Sequence, residues 1–507
     1  MTVESKIGSN FSRRKLMRSA VGLAGISAAT LLLQACGGSS SPAAATPAAS
    51  ASQPTKAAVS TGTTATSAVA ASPAPAATAA PTGKSYTVTQ WVYSQINLIQ
   101  GTLEPAPATQ KTGVIDFFAW NIAEFKKVDP QTTVKVELLP HDSSWFAKLD
   151  ASLVAGTQPD MVQGPASEVG RYVPLGAVAS IDDFLTADDK KDIPAGVLTE
   201  STFNGKNYLW PWRLAFGGGV WLNATLWKAH GAGSLLPTND THDWLVDDFY
   251  KGLKATTVTS GGSTSLYGIV MAADVTVYSL NQFLLSQGAQ LYNGDETKFV
   301  LNSPEGVKAL EWLAGLELTD KVAAPGSAAR QSQDASALFQ SQKVAAQPAE
   351  GMGLVAPGMK DKFEWYWVRP PHLPNTKPVV QTNIHGYYVM LQKDTGQTAA
   401  AQQYGHFLVR PDALQVSLKI GLTPVRQSLW SQVTDPNEKV GLHFTDIMTS
   451  FGRRASATMI NFTLLPRMYQ AVFSKQKPAQ QALDDLAKDA NKALQDAIAE
   501  EAKKKSP

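Results

Sequence analysis

The hydrophobic pattern of the chain changes character twice. Ala20 to Ala35 is a largely apolar run of 16 residues, preceded by Ser12-Arg13-Arg14-Lys15-Leu16-Met17. From Gly37 to Gly83 the pattern vanishes into Ala, Ser, Thr, Pro and Gly, with Lys56 the only charge. Beyond Ser85 regular periodicity begins. Tyr86-Thr87-Val88-Thr89-Gln90-Trp91-Val92 alternates with period two and predicts a strand. Val114 to Lys127 has helical spacing, Thr133 to Leu139 alternates again after Asp129-Pro130, and Trp145 to Ala155 returns to helical spacing, stopped by Gly156. A short strand at Met161-Val162 follows Pro159-Asp160. Strand, helix, strand, helix, strand at this spacing predicts an α/β fold with right-handed crossovers and a mainly parallel sheet. Any ligand would then bind beyond the strand C-termini, in the loops after Val92, Leu139 and Val162.

Later segments favour helices. Ser303 suits an N-cap for Pro304 to Leu318, whose proline falls in the first turn. Thr398 to Leu408 is a further helix. Pro478 to Glu501 carries Leu483, Leu486, Ala490 and Leu494 on one stripe. No internal repeat is visible.

The N-terminal segments add an address. The twin arginine before a run too short for a comfortable membrane span reads as an export signal, and Leu33-Gln34-Ala35-Cys36 reads as a lipobox. Cys36 is the single cysteine, placed where a diacylglyceryl anchor would be attached, so no disulfide framework is available. Residues 37–84 have too little apolar surface to offset chain entropy and predict a disordered tether with a mean reach of roughly 35–40 Å. A net charge of +2 offers no case for nucleic-acid binding.

Six segments, in order, resemble one family. They are Phe125-Lys126-Lys127 with Val134-Lys135-Val136-Glu137; Trp145-Phe146-Ala147-Lys148-Leu149 with Ala155-Gly156-Thr157-Gln158-Pro159-Asp160-Met161-Val162; Asn204-Gly205-Lys206-Asn207-Tyr208-Leu209-Trp210-Pro211; Val220-Trp221-Leu222-Asn223; Phe339-Gln340-Ser341-Gln342-Lys343-Val344-Ala345; and Ala482-Leu483-Asp484-Asp485 with Asn491. From about Tyr86 onward the chain is similar to the family 1 extracellular solute-binding proteins of ABC importers, the maltose-binding type. The resemblance implies a type II periplasmic-binding-protein fold, in which two α/β lobes with mainly parallel sheets close on a solute and no chemistry is done on it. It implies a carbohydrate as solute, an ABC permease as partner, a monomer, no cofactor and no metal. The implied division is 1–36 signal, 37–84 tether, 85–215 first lobe, 216–384 second lobe, 385–440 first lobe again and 441–507 second lobe. Crossings are expected near Leu214 to Gly219, near Thr382 to Gly386, and between Pro424 and Asp446.

Matched onto the family's ligand loops, the candidate binding residues are Trp91, Tyr93 and Gln95, then Gly164, Ser167 and Glu168, then Trp212, Arg213 and Phe216. In the second lobe they are Asp274, Tyr278, Glu350 and Gly351, with His385 on the return. Aromatic faces suit the C–H side of pyranose rings, and amide, carboxylate and guanidinium groups suit the hydroxyls. Trp91 and Tyr278 fit core positions equally well, and Arg213 could pair with a structural carboxylate. Asp160 suits a turn-holding role. Met352-Gly353 and Gly164 stand where relatives often carry aromatics, which weighs against a long linear maltodextrin.

Other readings have less support. Asp182-Asp183 and Asp188-Asp189 resemble helix starts on solvated faces rather than a glycosidase pair. No G-x-S-x-G elbow occurs, and the seven histidines are scattered without close ligand spacing. Adjacent Tyr387 and Tyr388 would suit a ferric ion, but on a strand they point to opposite faces. A polyamine or peptide would need several cleft carboxylates, for which Glu168, Asp274 and Glu350 are available. Trp365-Tyr366-Trp367 falls on a strand in the family's order.

Overall fold

The computed structural model describes residues 84–94, 114–140, 144–215, 217–239, 241–274, 276–348, 359, 362–381, 383–419, 423–449 and 451–505. The signal, lipobox and tether expectations lie outside these residues.

Two sheets organise the chain. The first contains β1 (Tyr86–Ser94), β2 (Thr132–Pro140), β3 (Met161–Pro165), β4 (Trp210–Ala215) and, much later, β9 (Asn383–Val389), in the order β2-β1-β3-β9-β4. Helix α1 (Val114–Val128) joins β1 to β2, and α2 (Ser144–Ala155) lies between β2 and β3. The alternation read from Tyr86 to Met161 therefore yields a parallel β2-β1-β3 core. Helix α2 stops at Gly156 with φ +69°, where Thr157 N–H reaches back to Ser152 O at 2.9 Å. A left-handed residue there satisfies the last carbonyls, and glycine adopts it without steric cost.

The second sheet has the order β6-β5-β7, built from β5 (Val220–Asn223), β6 (Ala346–Pro348) and β7 (Trp365–Val368). Its pairs are antiparallel throughout, so the expected mainly parallel arrangement applies to the first sheet alone. In the first sheet β9 also runs antiparallel to both β3 and β4. The reason is topological. β4 carries the chain out toward β5, and β9 brings it back beside β4 without a helical crossover, so the two must run oppositely. Just before β9, β8 (Val380–Gln381) pairs in parallel with β10 (Met448–Thr449).

Apolar burial follows these layers. Beside the first sheet, Phe117 and Phe118 of α1 meet Trp212 of β4 and Tyr387 of β9, with ring centroids 5.3–6.1 Å apart. Around the second sheet a larger core gathers Trp227, Phe249 of α3 (Val246–Thr256), Phe283, Leu310 and Tyr469. It also takes in Leu483, Leu486, Ala490 and Leu494, the stripe read from α8 (Ala479–Lys505). Helix α4 (Pro304–Leu318) begins as its sequence predicts, with Ser303 Oγ accepting from Gly306 N–H at 3.2 Å. Helix α5 (Thr395–Leu408) starts a turn earlier than expected because Asp394 caps it through Gly396 N–H at 2.9 Å.

One acidic pair departs from its expected setting. Asp189 does cap a helix start, exchanging bonds with Thr186 at 2.9 and 3.1 Å. Its side chain, however, is only 5% exposed, with Arg426 on one oxygen and His406 Nε2 at 2.9 Å from the other. Burial alone would raise this carboxyl, but the bonds from His406, Thr186 and Arg426 outweigh it and hold the group well below the usual carboxylate range. A capping motif reads the same whether water or a guanidinium lies beyond it. Asp160 is likewise buried: its Oδ2 accepts from Thr89 N–H at 2.7 Å while its own N–H donates to Thr89 O at 2.9 Å, fastening the turn before β3 to β1.

Candidate functional site

The chain passes from the first sheet to the second through Gly217, Gly218 and Gly219. Gly218 and Gly219 have φ of +83° and +85°. A Cβ on Gly217 would stand 2.2 Å from Tyr278 Cδ1, and one on Gly219 would stand 2.3 Å from Trp367 Nε1. Glycine is needed here both for backbone sign and for close approach.

Tyr278, pressed against this crossing, belongs to an aromatic group. Its ring lies 5.5 Å from Phe451, edge to face, and 6.3 Å from Phe462, while Phe451 and Phe462 are 6.3 Å apart. Phe462 is 42% exposed, and among the described residues only Val128 and Leu391 are comparable exposed large hydrophobics. An exposed ring supported by two others, Tyr278 from a distant segment and Phe451 from nearby in the chain, offers an apolar face to a ligand. Phe462 is held out by a π-helical turn, Ile460–Leu464, just ahead of α7 (Leu465–Phe473). Pro466 explains that turn, since it cannot donate to the carbonyl of Phe462 and its ring clashes there in an ordinary helix. Sequence reasoning missed Phe462 and Phe451. The one signal available was a proline four residues beyond an aromatic in a helical run.

On the first-sheet side of the crossing, Arg213 of β4 lies opposite His385 of β9, which in turn faces Pro165 of β3. Ser167 and Glu168 follow directly in the short turn Ala166–Glu168. Gly164 pairs with Gly386, and a Cβ on Gly386 would meet Trp210 O at 2.1 Å, so position 386 admits only glycine. The register thus gathers Gly164, Ser167, Glu168, Arg213 and His385 at one end of β3, β9 and β4. Glu168 is buried, with Arg171 Nη1 at 3.7 Å.

Other expected residues serve the scaffold. Trp212 is 1% exposed, and its Nε1 donates to Ser417 Oγ at 3.1 Å. It is a pillar of the first core rather than a platform, because α1 covers the face it occupies. Asp274 accepts from Ser332 N–H at 2.8 Å and Ser332 Oγ at 2.6 Å, capping the helix Ser332–Gln340 from a distant segment. Trp91 is buried within β1, between β2 and β3. Tyr93 lies in β1 opposite Leu139, and its side chain is outside the described residues, as are Gln95, Phe216, Glu350, Gly351 and Cys36.

No group of three His, Cys, Asp or Glu side chains among the described residues is placed to hold a metal ion. Tyr387 packs with Phe118 and Trp212, whereas Tyr388 donates to Pro165 O at 2.6 Å. Trp365, Tyr366 and Trp367 lie on β7, as the strand reading required. Among the described residues no helix is long and apolar enough to cross a membrane.

The fold has many solved counterparts. The chain is similar to the sugar-binding protein MalE from Xanthomonas citri, with a TM-score of 0.66 at 16% identity, covering 81% of this chain and 98% of that one. A cyclic α-maltosyl-1,6-maltose binding protein from Arthrobacter globiformis gives 0.65 at 18%, covering 81% and 100%. A solute-binding protein of an ABC transporter from Thermotoga lettingae, bound with α-D-tagatose, gives 0.62 at 18%, covering 81% and 100%. At these identities the likeness establishes the two-lobed periplasmic-binding-protein fold. None of the curated proteins compared matches the chain. The family model for bacterial extracellular solute-binding proteins matches residues 111–415, more than half the length, and the chain therefore belongs to the bacterial extracellular solute-binding protein family.

Proposed function

We propose that this protein is the solute-capturing component of an ABC importer and that its solute is a carbohydrate. The observation that carries this is the aromatic platform of Tyr278, Phe451 and Phe462 beside the first crossing strand. A half-exposed ring suits the apolar face of a pyranose, and Arg213, His385 and Ser167 at the adjoining strand ends supply groups for its hydroxyls. The three relatives named above are sugar binders or hold a sugar, in keeping with this class of ligand. Closure by lobe rotation would bring the two sides of the crossing around the solute, and the closed form would dock on the permease. The protein binds and releases without transforming its ligand.

Where the chain changes partners supports a lobe division close to the expected one. The first lobe runs from Ser85 to Ala215 and resumes at Asn383. The chain passes to the second lobe for the last time between Ser428 and Asn437. Ser428 N–H donates to Asp192 in the first-lobe layers at 2.7 Å, and Asn437 Oδ1 accepts from Trp367 N–H of β7 at 2.7 Å. This supports assigning helix α6 (Pro436–Leu442) to the second lobe, ahead of the expected boundary at residue 440. The twin arginine and the lipobox support a working protein outside the cytoplasmic membrane, held as a monomer by lipid on Cys36.

The test is a thermal-shift screen of the purified protein against mono- and oligosaccharides, polyols, polyamines and ferric citrate. A sugar at a hundred times its dissociation constant adds roughly 2.7 kcal/mol to stability. A shift with sugars alone is the expected result. A shift only with a polyamine or with iron overturns the carbohydrate assignment.

A further inference from the structure

Four buried amides link the crossings to the segments around them. Gln282 pairs with both polar groups of Gly219: its Oε1 accepts from Gly219 N–H, and its Nε2 donates to Gly219 O at 2.7 Å. A side-chain amide bonded in this way replaces a neighbouring strand for the first crossing. The adjacent Asn281 reaches the second crossing, donating to Gln381 Oε1 of β8 at 2.8 Å. Gln381 in turn donates to Asn461 Oδ1 at 3.2 Å, and Asn461 donates to Phe451 O at 2.6 Å and to Ala457 O at 2.9 Å. All four side chains are at most 1% exposed. Each amide is bonded to a backbone group or to the next amide in line, and water cannot stand in for a partner that moves away.

We propose that Asn281, Gln282, Gln381 and Asn461 act as a staple that fastens the first two crossing strands to the second lobe. Lobe rotation is thereby confined to the first-sheet side of Gly219 and of Gln381. The staple shares its segments with the platform. Tyr278 precedes Asn281 by one turn, Phe462 follows Asn461 directly, and Asn461 holds the carbonyl of Phe451. A solute stacked on Phe462 thus bears on the same rigid body that ends at the two pivots. These are positioning residues, and the coupling half of the inference rests on the platform reading above.

The experiment uses the full chain carrying Cys36→Ser, with spin labels on Lys127→Cys of the first lobe and Lys308→Cys of the second, both exposed positions. Interlobe distances are measured with and without maltotriose, in this background and after Gln282→Met. The expected result is a broader ligand-free distance distribution in Gln282→Met, together with about a tenfold weaker affinity for maltotriose. A purely structural role would lower the melting midpoint while leaving the ligand-free distribution unchanged at temperatures well below it, and that result overturns the staple. Gln381→Met, read the same way, serves if Gln282→Met does not fold. If maltotriose leaves the unsubstituted distance unchanged, maltotriose is excluded as the closing solute, while the ligand-free comparison still decides the staple.

Discussion

Glu200 ends the short helix Ala195–Glu200 with its carboxyl buried, and burial pushes its pKa up to about 8. Arg453 draws it down only in part, and Glu296, already bonded to Arg453 N–H at 2.6 Å, pushes it up again. The folded protein therefore keeps this acid protonated at pH values where the unfolded chain has lost the proton, above about 4.3. Between that value and about 8 the unfolded state binds fewer protons, so this group lowers stability as pH rises. Glu200→Gln removes the titration. The variant should melt with the unsubstituted protein near pH 5 and progressively above it toward pH 8, by an amount on the order of a few kcal/mol. Parallel pH profiles of the two melting midpoints would contradict this assignment. The same scale shows why sequence misplaces single acids. Asp274 matches a ligand loop and Asp189 a helix start, and only partners 58 and 217 positions away, Ser332 and His406, show what each carboxylate bonds.

At the scale of elements, two aromatics have opposite fates. Trp212 lies on a strand whose outer face is covered by Phe117 and Phe118, while Phe462 is turned outward by the π-turn before Pro466. Phe462→Ala should leave the melting midpoint nearly unchanged, since the ring is 42% exposed, and weaken sugar binding about tenfold. Trp212→Ala should instead cost about 3–5 kcal/mol of stability, and any binding loss should track the unfolded fraction. Calorimetric titration beside denaturant unfolding distinguishes the two. Equal destabilisation by both variants would remove Phe462 from the surface role given to it. Elements themselves were legible. Val114–Val128, Pro304–Leu318 and the stripe of the C-terminal helix follow from period, caps and proline placement, because those are local properties of the chain.

For the whole molecule, the proposed export signal and lipid anchor can be tested apart from the head. Cys36→Ser should leave export intact and move the protein from the membrane fraction to the soluble fraction outside the cytoplasm. Replacing Arg13 and Arg14 by lysine should retain it inside. Fractionation of cells expressing each variant checks both, and a Cys36→Ser protein that stays on the membrane would overturn the lipid anchor. The expectation of a crossing near Leu214 to Gly219 came with the family resemblance, and the β-α-β order from Tyr86 to Met161 stood in the sequence because alternation and helix spacing are short-range signals. The antiparallel second sheet, the amide staple and the platform did not. Each joins segments separated by tens to hundreds of residues, such as Gln282 with Gly219 or Tyr278 with Phe462. Sequence by itself determined which elements form and, through its match to the family model, to which family the chain belongs. Which aromatics are covered and which are offered to a ligand was decided by tertiary structure alone, since burial depends on what distant segments are packed above a side chain rather than on its neighbours in the chain.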